Sequence, residues 1–282
     1  MKWYSPFNPF AYWRKYKQIR QDLQESRRAR LEQMVFEQYE LERPGLLARQ
    51  EAIFTALGLD YQAAQARVQR VLRKSGELRH ICAEFDNNMF SEHWVLFAAM
   101  KPEKVRRVLE LGTFNGEFTR FLSILFPDAE IVTMDLPDDD PVFIGSYCRD
   151  DDERRRRFLA HREKMLARPN IKFVQKNTFF LPSLQLGTFD CIWVDACHEY
   201  PDVAWDICNA WHCCNVDGWI ACDDIYLSDT PAGGNTNASR DALLALSRYR
   251  ICDVHFILKR FSPKFSASPH VRKHVGILRK AV

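Results

Sequence analysis

VRRVLELGTFNG, at residues 105–116, is the segment from which the fold of this chain can be predicted. The apolar run VLEL at 108–111 ends at Gly112, a second glycine follows at Gly116, and a helical pattern begins there. Short apolar runs of this kind form buried strands, and the glycines permit a tight turn into a helix. In α/β proteins this arrangement holds a nucleotide-like ligand over the carboxyl end of the strand.

From this segment onward, strand and helix patterns alternate, which is typical of a parallel sheet. The predicted strands are 105–111, 130–134, 171–175, 189–194, 218–222, 251–257 and 274–279. The predicted helices are 116–125, 152–167, 201–214 and 238–247. No helical pattern separates the last two strands, so we expect them to form an antiparallel hairpin at one edge of the sheet. The predicted fold is therefore a Rossmann-like α/β domain with a seven-stranded, mostly parallel sheet.

The first hundred residues show a different pattern, which is helical and rich in Glu, Gln and Arg. A break is predicted at Pro44-Gly45, because proline and glycine both interrupt helices. We expect a helical N-terminal extension at 1–100, followed by the α/β domain at 101–282. Long helix is predicted from 11 to about 56, with the second helix running from about 44 to 57 after the break. A third helix is predicted at 61–74, and the segment 88–100 is apolar on one face.

The composition limits the classes of protein to be considered. The chain has 282 residues and is 46% hydrophobic, which is enough for one sizeable core. The net charge of +3 does not indicate a dedicated nucleic-acid binder, although both ends are basic and leave an acidic acceptor open. The nine cysteines include no Cys-x-x-Cys pair, and no apolar signal segment is seen. We therefore expect a reduced, cytoplasmic location, and no run of residues is apolar enough to cross a membrane.

Residues 1–20 interleave aromatic and basic side chains. Such a segment can dock on its own domain, join a second copy of the chain through the N-terminal helices, or lie peripherally at a membrane surface. Docking or formation of a homo-oligomer is favoured over membrane contact, because apolar arms must be buried somewhere.

The glycine turn indicates which ligand it holds. A dinucleotide-binding turn has a glycine where this chain has Phe114, whose side chain is too bulky for a pyrophosphate. Glu110, at the end of the first strand, would repel a pyrophosphate and suits a cationic amino group. Asp135 ends the next strand, where a carboxylate can accept both hydroxyls of a ribose. A ligand with a ribose and a positive amine but no pyrophosphate fits S-adenosylmethionine.

The sequence resembles the class I S-adenosylmethionine-dependent methyltransferases across 85–282. VLELGTFNGEFTRFL is similar to their first motif, IVTMDLP to the acidic motif of the second strand, and NIKFVQKNTFFLP to the segment that holds adenine. FDCIWVDACHEYPDVAWDICNAWHCCNVDGWIACDDI resembles their fourth and fifth strands. The resemblance implies that the cofactor-binding residues are Glu110 and Gly112 at the methionine moiety, Thr113, Asn115 and Gly116 in the turn, Asp135 with Leu136 at the ribose, Asn177 and Thr178 at the adenine, and Asp195.

Acidic residues also follow two further predicted strands. Asp195 comes after 189–194, and Asp223-Asp224 come after 218–222. If these strands are neighbours, the three carboxylates converge and require a counter-charge, for which Mg²⁺ or a similar divalent cation is suited. This arrangement resembles the metal-dependent O-methyltransferases of the catechol and of the macrolide or sugar types.

The resemblance implies that Asp195, Asp223 and Asp224 bind the metal, and that Asp195 and His198 are catalytic. His198 is the expected general base, because an imidazole titrates near neutral pH. It could instead be a metal ligand. In the metal-free alternative, Asp223-Asp224 cap a loop and Asp195 only touches the cofactor.

The acceptor is indicated only by the loop at 226–239, which is polar and rich in glycine. It favours a small, hydroxylated acceptor such as a sugar or glycan, with His93 and Arg240 as candidate contacts. The leading hypothesis is an O-methyltransferase with divalent-metal assistance. The rivals are a nucleic-acid methyltransferase, which the basic ends favour, and a catalytically inactive cofactor-binding scaffold.

Overall fold

A computed structural model describes residues 9–81, 92–227, 237–248, 252–260 and 272–281. Within the first of these ranges, the side chains of 9–16, 27–29 and 31–40 are not described. The chain divides into two compact units, one up to Gly45 and one from Leu46 onward. No helix among the described residues is long and apolar enough to cross a membrane.

Helix α1 extends from Pro9 to Ala56. Its residues up to Gly45 belong to the first unit, and the rest belong to the second. The predicted break at Pro44-Gly45 is therefore wrong, since Pro44 lies inside this helix. A proline inside a helix removes one hydrogen bond and crowds the carbonyl four residues before it, which can kink a helix without ending it. Ile19 and Leu23 of this unit are exposed, and the expected self-association through these helices stays a prediction. Residues 1–8 of the aromatic, basic segment lie outside the described residues.

Two shorter helices follow in the second unit, α2 at Tyr61–Lys74 and α3 at Glu92–Ala99. Asp60 caps α2 by accepting a hydrogen bond of 2.9 Å from the Ala63 N–H, as acidic residues often do at helix N-termini. The apolar face of α2 is buried, and α3 is buried along almost its whole length. The predicted segment 88–100 thus begins outside the described residues and ends as expected.

The sheet has seven strands in the order β3-β2-β1-β4-β5-β7-β6. The first five run parallel, while β7 is antiparallel to both β5 and β6. The predicted mostly parallel sheet with an antiparallel edge hairpin is confirmed. The strands are β1 Arg107–Leu111, β2 Glu130–Asp135, β3 Ile171–Gln175, β4 Phe189–Val194, β5 Cys214–Tyr226, β6 Val254–Arg260 and β7 Lys273–Arg279.

Helices cover both faces of this sheet, because its central strands are apolar on both sides. Leu109 and Leu111 of β1 belong to the core cluster that also contains Val203 and Ile207 of the helix at Asp202–Cys213. Short 3₁₀ helices lie at Pro102–Lys104 and Thr178–Leu184. The remaining helices are α4 Glu117–Leu125, α5 Pro141–Gly145, α6 Asp152–Leu166, α7 Asp202–Cys213 and α8 Ala238–Arg248.

The edge strand β6 is paired by a side chain from α1. The Gln50 amide donates to the Leu258 carbonyl at 3.0 Å and accepts from the Leu258 N–H at 2.9 Å, as a neighbouring strand would. The same amide donates to the buried carboxylate of Glu92, which also accepts from the Tyr61 hydroxyl. These contacts join the helices from Leu46 onward to the sheet within the second unit. The predicted domain boundary near residue 100 stays a prediction.

Candidate active site

The glycine turn after β1 is packed tightly between the ends of two neighbouring strands. The Gly112 N–H donates to the Met134 carbonyl of β2, and the Asp195 N–H after β4 donates to the Leu111 carbonyl. Gly112 has φ of 100°, and a Cβ at this position would overlap the Asp195 carbonyl group, lying 2.6 Å from its carbon. Gly116 has φ of 78°, and a Cβ at this position would lie 3.0 Å from the Met165 Cβ. Only glycine meets both requirements at Gly112.

Asp135 is held by the backbone at the end of β2. One carboxylate oxygen accepts from the Phe114 N–H at 2.9 Å, and the other accepts from the Leu136 N–H at 2.8 Å. Burial raises the pKa of this carboxyl, while the two N–H groups act in the opposite direction. The carboxylate is only half-buried, so each oxygen retains a lone pair for a further donor. This geometry suits the predicted contact with ribose hydroxyls, and Phe114 reaches it through an unusual φ of 48°.

Glu110 lies near the end of β1, beneath the glycine turn. Its carboxylate is 1% exposed and accepts hydrogen bonds from the hydroxyls of Thr119 and Thr133. Thr133 also shares a hydrogen bond of 2.6 Å with Thr113, so these residues form one buried network under the turn. Burial raises the pKa of Glu110 to about 8. Protein atoms thus cover the carboxylate, which supports the turn from below, and the expected contact of Glu110 with the methionine moiety stays a prediction.

The predicted adenine side is formed by the start of the 3₁₀ helix after β3. The Asn177 side chain accepts from the Phe179 N–H at 2.8 Å and so caps that helix. The Thr178 hydroxyl donates to Asp206 of α7 at 3.2 Å. Asp206 is 1% exposed, and burial raises its pKa to about 6. Sequence reasoning missed Asp206, although an acid among the apolar positions of α7 was a detectable signal.

Asn115 and Asp195 complete the predicted cofactor residues. Asn115 accepts from the Glu117 N–H at 3.1 Å and thereby helps to begin α4. Asp195 is half-buried directly after β4, beside the glycine turn.

Asp195, His198 and Asp224 lie together at the carboxyl edge of β4 and β5. His198 Nε2 is 3.3 Å from Asp195 Oδ1 and 3.7 Å from Asp224 Oδ2. All three side chains are half-buried, and their ligand atoms lie within 4.8 Å of one another. Among the described residues, this is the one group of three or more acidic, histidine or cysteine side chains close enough to hold a metal ion.

Asp223 is separate from that group. Its side chain is 2% exposed, forms an ion pair with Lys259 of β6, and lies 3.9 Å from the Lys273 ammonium of β7. Burial alone would raise the pKa of Asp223, but the two ammonium groups hold it well below its usual range. The predicted role of Asp223 as a metal ligand is therefore corrected, since its carboxylate is committed to lysine.

Asp224 reaches both His198 and a lysine because β5 is irregular at this point. The pairing of β5 with β7 shifts register between Cys222 and Ile225, and Asp224 has φ of 56°. In a regular strand, consecutive side chains point to opposite faces, and a bulge changes their direction. Here one Asp224 oxygen forms an ion pair with Lys273 while the other faces His198.

The comparisons with known proteins agree with this geometry. Residues 109–225 match the sequence model of a methyltransferase domain. These residues extend from β1 to β5 of the sheet. This part of the chain, which includes the glycine turn, Asp135 and Asp195, is therefore similar to a methyltransferase domain. No curated protein matches the chain in sequence.

Several solved structures resemble this chain at low sequence identity. The O-methyltransferase TomG from Streptomyces achromogenes, solved with S-adenosylmethionine, is 18% identical over 82% of this chain and 95% of its own, with a TM-score of 0.48. An O-methyltransferase from Bacillus cereus, solved with S-adenosylhomocysteine, is 14% identical over 76% and 91%, with a TM-score of 0.47. An rRNA methylase from Streptococcus thermophilus is 14% identical over 64% and 92%, with a TM-score of 0.42.

The side chains do not form the three-carboxylate magnesium site that the sequence predicts. That site required the carboxylates of Asp195, Asp223 and Asp224 to share one cation, but Asp223 faces Lys259 and Asp224 is paired with Lys273. The lysines lie on β6 and β7, far from the acids in sequence. Their signal was the presence of basic residues in the last two strands, which are otherwise largely apolar, and sequence reasoning missed both lysines.

The two candidate acceptor contacts lie in different surroundings. His93 is 8% exposed and stacks on Trp193 of β4, with ring centroids 4.9 Å apart and planes 9° apart. Arg240 of α8 donates to the Leu227 carbonyl at 3.3 Å, next to the predicted acceptor loop. Residues 228–236 of that loop lie outside the described residues.

Proposed function

We propose that this methyltransferase transfers a methyl group from S-adenosylmethionine to a hydroxyl of a small polar acceptor, a sugar or glycan being favoured. The observation that carries this proposal is the position of His198 Nε2 between the carboxylates of Asp195 and Asp224. A base of this kind is needed for an alcohol, because an alcohol hydroxyl is a weak nucleophile while it retains its proton.

The donor would lie across the ends of β1 to β4. In this proposal Gly112 and Gly116 admit the methionine moiety, and Asp135 with the adjoining Leu136 holds the ribose. Adenine lies near the 3₁₀ helix that begins at Thr178. Support comes from the close packing at Gly112 and from the two backbone hydrogen bonds that fix Asp135.

The reaction follows from these positions. The acceptor oxygen attacks the methyl carbon of the sulfonium, the carbon–sulfur bond breaks, and S-adenosylhomocysteine leaves with the electron pair on sulfur. His198 takes the hydroxyl proton, and Asp195 and Asp224 orient its ring and stabilise the resulting imidazolium. The sulfonium supplies the electrophile, so the main task of the protein is to align donor and acceptor.

Divalent-metal assistance is left out of this reaction, since the predicted three-carboxylate site does not fit. Asp195, His198 and Asp224 are the residues that would hold such a cation if one is used.

The proposal is tested with the purified chain, calorimetry of S-adenosylmethionine binding, and a screen of hydroxylated acceptors with a labelled methyl donor. The His198→Gln variant should bind the donor as the wild type does, while kcat falls by about 100-fold or more, as expected for loss of a general base. His212→Gln changes an exposed histidine of α7 and should leave kcat unaltered.

Absence of donor binding would overturn the assignment of the cofactor. Methylation of RNA, but not of hydroxylated small molecules, would overturn the acceptor class. Full activity of His198→Gln would remove the proposed base.

A further inference from the structure

Acidic and basic groups alternate in a continuous row beside the candidate base. Lys259 pairs with Asp223, the Lys273 ammonium lies 3.9 Å from Asp223 Oδ2, and Lys273 pairs with Asp224. Asp224 Oδ2 then lies 3.7 Å from His198 Nε2, which is 3.3 Å from Asp195. The row connects β6, β7 and β5 with the loop after β4.

The burial of the two lysines indicates that their charges are balanced by the neighbouring carboxylates. Lys259 is 5% exposed and the side chain of Lys273 is 13% exposed. An ammonium group in such surroundings is costly unless it is paired, and removal of its partner leaves an uncompensated buried charge. The pairs are therefore mutually required, and each lysine has a fixed position.

The backbone is also shaped around these pairs. The register shift in β5 and the left-handed conformation of Asp224 direct two consecutive carboxylates toward the lysines and His198. Strained residues at strand irregularities are often associated with function. On the far side, Gln50 fixes the backbone of Leu258, which precedes Lys259.

The charges of the row nearly balance without an added ion. Asp195, Asp223 and Asp224 carry three negative charges, and Lys259 and Lys273 carry two positive charges. A third positive charge arises on His198 when it accepts the proton of the acceptor. The convergence of acids that made a divalent cation seem necessary is thus offset by the chain itself.

We propose that Lys273, supported by the Asp223–Lys259 pair, supplies the positive charge at this acid cluster in place of a divalent metal, so that methyl transfer requires no metal ion. Lys273 is a positioning residue, since it orients Asp224 toward His198. The predicted effect of Lys273 on methyl transfer rests on the proposed function. The predicted lack of metal binding can be tested without any acceptor.

The first test is the affinity of the wild-type chain for Mn²⁺, measured by electron paramagnetic resonance with and without S-adenosylmethionine. Mn²⁺ is chosen because it can replace Mg²⁺ at oxygen-rich sites and is directly visible. No binding is expected at micromolar Mn²⁺. Stoichiometric binding that is lost in Asp224→Asn would overturn the proposal, even if no acceptor has been found.

The second test compares Lys273→Met and Lys273→Arg with Lys172→Met, a change on the exposed edge of β3. We expect kcat to fall by about 100-fold in Lys273→Met, the scale of a lost electrostatic contact at an active site. Its affinity for S-adenosylmethionine should remain, Mn²⁺ binding should appear, and Mg²⁺ should restore part of the lost kcat. Lys273→Arg should retain most of the activity, and Lys172→Met all of it.

Unchanged kcat in Lys273→Met would overturn the proposal. So would loss of wild-type turnover in chelator followed by recovery with Mg²⁺. If Lys273→Met does not fold, the Mn²⁺ and chelator measurements on the wild type still decide the question. Failure of the proposed function would look different, because S-adenosylmethionine would not bind or no hydroxyl would be methylated.

Discussion

The two halves of the carboxyl edge of the sheet differ in the chemical groups that form them. At the ends of β1 and β2, backbone groups form the site: a glycine without a side chain, and two N–H groups on Asp135. At the ends of β4, β5 and β7, side-chain charges form it. Backbone geometry fixes the position of a ligand, whereas charges act on a reacting proton. We therefore expect changes in the first half to alter donor affinity and changes in the second to alter turnover.

The largest expected effect is that of Gly112→Ala. A Cβ at Gly112 would overlap the Asp195 carbonyl, and the φ of 100° is unfavourable for any residue with a side chain. The chain must either displace the loop after β4 or fail to fold. We expect S-adenosylmethionine affinity to fall beyond detection and the melting temperature to drop, as measured by calorimetry and thermal unfolding.

Gly45→Ala is the matched control for this variant. No atom lies within 4 Å of the added Cβ, and alanine favours the helical conformation of α1. It should bind the donor normally and be at least as stable as the wild type. Normal donor binding by Gly112→Ala would contradict the proposed separation of the two halves.

A smaller effect is expected for Asp135→Asn. The amide keeps one acceptor for the backbone N–H groups but loses the charge that strengthens hydrogen bonds to ribose hydroxyls. S-adenosylmethionine affinity should fall about 10- to 100-fold, consistent with about 1.5–3 kcal/mol for a hydrogen bond to a charged group. With saturating donor, kcat should change little.

Asp139→Asn, an exposed change in the following loop, is the control for Asp135→Asn and should alter neither quantity. If Asp135→Asn instead lowers kcat at saturating donor and leaves affinity intact, the two halves are not separable as we describe.

The same difference explains what the sequence could predict. The turn at Gly112 and the acid at Asp135 are local patterns, so the mostly parallel sheet and the proposed donor half could be predicted from the sequence. The ion pairs of Asp223 and Asp224 depend on lysines in strands that become neighbours only in the folded sheet. Three acids in sequence indicated the need for a counter-charge, but not whether lysine or a metal supplies it. The burial of Glu110 could not be predicted, because a strand position does not show which side chains cover it.

The smallest effect on donor binding is expected for a change of Glu110, which supports the donor half from below. Its pKa is raised to about 8 by burial, from an ordinary value of 4.5. Between these two values the folded chain retains a proton that the unfolded chain releases, so the free energy of unfolding falls as the pH rises through this window. Above about pH 8 this contribution no longer changes.

Glu110→Gln has no proton to release at this position, and its amide oxygen can still accept from Thr119 and Thr133. We expect the melting temperature of this variant to fall less than that of the wild type between pH 5 and pH 8. Relative to the wild type, the variant should therefore gain stability as the pH rises, by about 2–4 °C for each kcal/mol. Glu103→Gln, an exposed change, should give a curve parallel to the wild type. A parallel curve for Glu110→Gln would mean that Glu110 is ionised in the folded chain and could attract the cationic amine of the donor after all.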